Sequence, residues 1–108
     1  MTMKVMMGKD LLDLYLTGRS RRYREVSRNR ELMYGFLRAV KLMSDAKDVN
    51  ELSEVSFLHY ERLKYSLSGY SSVRLSNRYV HRLLFREGAD GLEVCLIEID
   101  DTHYGNKR

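Results

Sequence analysis

Residues 59–104 constrain the fold more than any other stretch. They run HYERLKYSLSGYSSVRLSNRYVHRLLF, then a charged turn REGADG, then LEVCLIEIDDTHY. Short apolar and aromatic runs are separated by polar turns containing Gly, Ser and Asn, the pattern of successive strands. It predicts strands over His59–Tyr65, Tyr70–Leu75, Tyr79–Phe85 and Leu92–Ile99, with turns at 66–69, 76–78 and 88–91. The last run is nearly all apolar. That predicts a central strand buried on both faces, with Cys95 as a core residue.

What precedes this block supplies the scaffold. Met3–Met7 suits a first short strand. Asp10 is placed to cap a helix through Leu11, Leu12, Leu14, Tyr15 and Leu16, closed by Gly18. Leu32, Phe36, Val40 and Met43 fall on one helical stripe, widened by Met33 and Leu37, so a second helix lays one face on a sheet. Asp48 and Glu51 have capping-box spacing and start one more helical turn. A short strand, helices and then four strands make an α+β chain, with N-terminal helices packed on one face of a mostly antiparallel twisted sheet.

Size and composition fit one domain over residues 1–108, with 44% apolar residues. No apolar run reaches the roughly 18 residues of a membrane span, and the opening MTMKVMMGKD is too quickly charged for a secretory signal. One cysteine cannot form an intrachain disulfide, which favours a reducing cytoplasm. The net charge of +4 is unevenly spread. Arg19, Arg21, Arg22, Arg24, Arg28 and Arg30 crowd one segment against Glu25 alone. Acids gather at Asp90, Glu93, Glu98, Asp100 and Asp101. A cationic cluster of this density, with Tyr23 inside it, suits a polyanion or an acidic protein partner.

The residues able to do chemistry are few. Arg74 and Arg82 fall mid-strand on neighbouring strands. They either form one cationic patch that grips a phosphate or pair with acids of the last strand such as Glu93 and Glu98. His103 and Tyr104 follow that strand, beside Asp100 and Asp101. His103 is either an ordinary surface residue or an acid–base group near neutral pH. Glu61 and Lys64 lie three residues apart, as a solvated ion pair or as groups facing a substrate. His59, His81, Cys95 and His103 show no zinc spacing, so no metal and no cofactor is expected. There is neither a Gly-rich phosphate loop nor a nucleophile elbow.

Together these residues resemble a family. The string LHYERLKYSLSGYSSVRLSNRYVHRLLF followed by DDTHY is similar to the RelE/ParE superfamily of bacterial toxins, with the HigB-like killer-protein branch closest. The features carrying the likeness are Leu63-Lys64, Gly69, Ser72-Val73-Arg74, His81-Arg82-Leu83-Leu84-Phe85 and His103, with DLYLTGRSRRYR resembling the first helix and its basic sequel. The chain departs from the pattern at Tyr65, where a Gly often follows the Leu-Lys step, at the longer step LSNRYVHR, and at Thr102.

The resemblance implies a small RelE-like sandwich and a metal-independent endoribonuclease acting on mRNA at the 70S ribosome. Its neutralising partner would be a cognate helix-turn-helix antitoxin. By matching motif, His103 and Arg82 fall on catalytic positions, Arg74 and Lys64 on phosphate or RNA contacts, Tyr104 on the His-Tyr ending and Asp101 on an orienting acid. Arg19, Arg21, Arg22 and Arg24 would hold substrate. The general base is left open among Lys64, Glu61 and His103. Two other classes remain: a gyrase-binding toxin of the ParE kind, and a nucleic-acid-binding protein unrelated to toxins.

Overall fold

A computed structural model describes residues 2–101. The chain runs β1 (Lys4–Met7), α1 (Lys9–Thr17), α2 (Arg24–Arg28), α3 (Arg30–Asp45), α4 (Val49–Ser53), β2 (Glu61–Arg62), β3 (Ser71–Arg74), β4 (Arg82–Glu87) and β5 (Glu93–Asp100). One sheet takes all five strands in the order β1-β5-β4-β3-β2. β1 and β5 are parallel, and the other neighbours antiparallel.

The core lies between α3 and one face of the sheet. Leu32, Phe36, Val40 and Met43 are all buried, as their stripe predicts, and they meet Val73, Leu83, Phe85, Val94, Leu96 and Ile99. Asn29 caps α3 by accepting from Leu32 N at 3.1 Å. Gly35 in its second turn is required by contact rather than conformation. A Cβ there would lie 1.8 Å from the carbonyl oxygen of Leu75. The helix backbone therefore rests directly on the residue that follows β3.

Gly18 ends α1 in the left-handed conformation at φ +74°, as expected. Asp48 accepts from Glu51 N at 3.2 Å, while Glu51 reaches back to Lys47 N. The expected capping box is thus met one residue out of phase on its return bond.

Four expectations need correction. Gly8, not Asp10, is the N-cap of α1, and Asp10 sits in the first turn, where an acid still favours the helix dipole. The strand expected over His59–Tyr65 shrinks to Glu61–Arg62. His59 (φ +48°) and Tyr65 (φ +60°) are both left-handed and break the extended chain on either side. The third expected strand begins at Arg82 rather than Tyr79. β5 is central but covered on one face only. Val94, Leu96 and Ile99 are buried, while Glu93, Cys95, Glu98 and Asp100 are half-buried on the other. Cys95 is therefore not a core residue. Sequence pattern also missed α2, which lies inside the arginine-rich segment.

Candidate functional site

The helices cover one face of the sheet; on the other, Ser72 and Leu84 are buried while Arg74, Arg82 and Glu61 are partly or well exposed. Register places them in rows. Arg74 lies opposite Arg82, and Arg82 opposite Asp100. One row further, Glu61 lies opposite Ser72, Ser72 opposite Leu84, and Leu84 opposite Glu98. The two arginines thus stand side by side at the end of the sheet where β3 finishes, β4 starts and β5 finishes. Like charges directly opposite on a sheet repel, and acids offset them here. Arg82 Nη1 donates to Glu61 Oε1 at 2.6 Å.

Arg74 is held differently. Its Nη2 donates to the Tyr79 carbonyl at 3.0 Å, while its buried Nε has no acceptor among the described residues. The bond to Tyr79 ties the β3–β4 turn to β3. Of the two readings left open by sequence, the structure brings Arg74 and Arg82 into one patch. The acid nearest Arg82 in that patch comes from β2, not from Glu93 or Glu98. Glu61 consequently pairs with Arg82 rather than with Lys64. Lys64 is exposed, just before a 3-10 turn at Tyr65–Leu67, and makes no ion pair among the described residues.

The arginine-rich segment arrives at this same end. Glu25 Oε1 on α2 lies 2.6 Å from His81 Nε2, the residue before Arg82. Arg22 Nη2 donates to Glu98 at 3.0 Å, and its Nη1 stands 3.8 Å from Asp10. Glu31 on α3 accepts from Ser76 Oγ and from Arg78 Nη1 (3.2 Å), fixing the β3–β4 turn from above. Arg19, Arg21 and Arg24 are exposed and make no side-chain ion pair among the described residues. With Ser20, Ser27 and Arg28 they line a shallow open depression.

His81 was scattered in the sequence and is structural in its placement. It is buried, Tyr79 meets its ring edge-on at 6.1 Å, and its Nδ1 has no partner among the described residues. Asp101, just past β5, is exposed and brings a carboxylate oxygen close to Glu25 and His81. One ligand atom from each of the three falls within 4.8 Å of the others. The one signal for this cluster in the sequence was Glu25, the lone acid among six arginines. His103 and Tyr104 lie outside the described residues.

No protein-family model and no curated protein matches the sequence. Solved structures do match by shape. A "YoeB/ParE toxin" from Agrobacterium tumefaciens superposes with a TM-score of 0.53 at 18% identity, covering 94% of this chain and 100% of that one. The YoeB dimer structure from Staphylococcus aureus gives 0.50 at 17% identity, covering 96% and 100%. At these identities the likeness is one of fold. The compact α+β arrangement with its five-stranded mixed sheet matches the RelE/YoeB toxin fold.

Proposed function

We propose that this chain is the toxin of a type II toxin–antitoxin pair, and that it cleaves mRNA by attack of the substrate's own 2′-OH. The observation that carries the reading is the pairing of Arg74 and Arg82 at the open end of the sheet, with Glu61 bonded to Arg82. The toxin fold and the order of motifs ending in His103 support it. The motif order favours a HigB-like member.

In-line cleavage needs a base, a charge stabiliser and an acid. Glu61 takes the 2′-OH proton. It is a half-exposed carboxylate, able to reach solvent and substrate, and its partner Arg82 fixes its position. The 2′ oxygen bonds to phosphorus while the bond to the 5′ oxygen breaks. Arg82 and Arg74 stabilise the one negative charge added as the phosphodiester becomes a dianionic phosphorane. His103 protonates the departing 5′ oxygen, with Tyr104 assisting and Asp101 orienting the imidazole. The products are a 2′,3′-cyclic phosphate and a 5′-hydroxyl. RNA is required because DNA lacks the nucleophile. No metal enters these steps.

Arg19, Arg21 and Arg24 grip the backbone on either side of the cut, and Lys64 adds a further phosphate contact. Arg22 contributes less, because Glu98 and Asp10 already occupy it. A toxin with such modest groups depends on the 70S ribosome to align its mRNA, and a helix-turn-helix antitoxin silences it.

Primer extension on a defined mRNA, with and without 70S ribosomes, tests this. Wild type cuts, and His103→Gln, folded, loses about 10²-fold or more in rate, the size of a general-acid contribution. Unchanged cutting by the folded variant removes His103 from the mechanism. Growth arrest without any cutting turns the reading toward a gyrase-binding toxin.

A further inference from the structure

We infer that Glu25, His81 and Asp101 form a binding site for a divalent transition-metal ion of the Zn2+ class, clipping α2 to the start of β4 and the end of β5. The site shares Asp101 with the proposed nuclease chemistry, but ion binding there is read without RNA.

Three elements far apart in sequence supply the ligands, which is why spacing alone gave no hint of them. One atom from each side chain falls within 4.8 Å of the other two. The set is an imidazole with two carboxylates. Mg2+ and Ca2+ take all-oxygen shells, whereas Zn2+ and its neighbours take mixed nitrogen and oxygen. Two carboxylates neutralise the dication. Three protein ligands leave a fourth tetrahedral position for water.

The second observation is His81 itself. Its side chain is 8% exposed and Nε2 points at Glu25, 2.6 Å away. The imidazole is buried against Tyr79 and held to Glu25, so Nε2 is already aimed into the cluster. The carboxylates can close on it. Glu25 is 70% exposed and Asp101 exposed, so both are free to move the ångström or so that separates this spread from the roughly 3.3 Å between neighbouring ligands on zinc.

Such an ion would join the arginine-rich helix to the strand that begins with Arg82. Isothermal titration of the untagged full chain with zinc chloride tests the site, alongside thermal melts. The expected result is one saturable ion per chain and a melting temperature raised by about 5–10 °C at a tenfold excess over Kd. Glu25→Gln, an exposed position that leaves the fold intact, weakens binding by about tenfold or more. Cys95→Ser leaves it unchanged, and millimolar Mg2+ does not compete. Absence of saturable binding overturns the inference. So does wild-type affinity in Glu25→Gln, which would put the zinc elsewhere. RNA cleavage is not measured in this experiment, so its outcome and that of the nuclease test stand apart.

Discussion

The two ends of the β3–β4 hairpin carry charged side chains in opposite states. At the end away from the turn, Glu87 is nearly buried, its side chain 14% exposed. It accepts from Tyr60 Oη, from Ser71 Oγ at 2.5 Å and from Arg62 Nη2 at 3.4 Å. That carboxylate is saturated, and its network holds β2, β3 and β4 together. At the turn end, Arg74 Nε is buried with no acceptor among the described residues, and Arg82 shares its charge with the half-exposed Glu61. A closed polar network stabilises a fold, because every desolvated group has a partner. Under the proposed function, the half-exposed Arg82–Glu61 pair at the other end faces the RNA. On that same proposal, the hairpin separates a structural end from an RNA-binding end within the six residues of β4.

The sharpest way to break this contrast is Arg82→Ala. RNA cleavage should fall by about 10²–10³-fold, the scale of one lost transition-state charge donor, while thermal melting changes little. Wild-type cutting by a folded Arg82→Ala protein would make both ends merely structural. Glu87→Ala tests the opposite end. It leaves Tyr60 and Ser71 without their acceptor, so urea unfolding should show a loss of about 1–3 kcal/mol. Cleavage per folded molecule should stay the same.

Replacing Arg19, Arg21 and Arg24 together by Ala extends the binding end. Affinity for single-stranded RNA should drop, and the slope of log K against log salt should flatten by about 2, at roughly 0.7 per phosphate contact. An unaltered slope would detach this segment from the substrate path. The smallest effect is alkaline. Burial, and then the hydrogen bond to Glu87, raise the Tyr60 hydroxyl above its ordinary value. The folded state therefore holds this proton more tightly than the unfolded one. The associated stability is whole below about pH 10 and lost as pH rises through the folded value. Tyr60→Phe should flatten that alkaline decline by less than about 1 kcal/mol, seen as parallel rather than diverging melts above pH 10.

Much of the scaffold was legible because it depends on local rules. The Leu32–Met43 stripe, the Gly18 stop and the Asp48 cap each follow from residues within a turn or two of one another. Arg74 and Arg82 were legible as a pair because strand alternation fixes their face. What failed was non-local or masked. α2 carries its one buried residue, Val26, among charges that hide any periodicity. Its role emerges only when Glu25 meets His81, across the whole helical layer. β5 looked doubly buried because apolar Ile97 and Cys95 fill its line, yet Ile97 lies where the β4–β5 register shifts and is 37% exposed. Tyr65 stands where the family pattern often has Gly. Its φ of +60° gives the physical reason for that preference, since only Gly adopts this conformation without strain.

The strand order also sets a sequence of events during synthesis. β5 lies between β1 and β4, yet it is made after both. Until it emerges, the first strand has no neighbour and one edge of β4 is bare. Contacts of such sequence separation close late and slowly. A nascent chain on the ribosome therefore holds the Arg74–Arg82 patch on an unfinished hairpin while α3 has only part of its sheet to pack on. Under the proposed function, the sheet that aligns the attacking groups is assembled only once β5 is free.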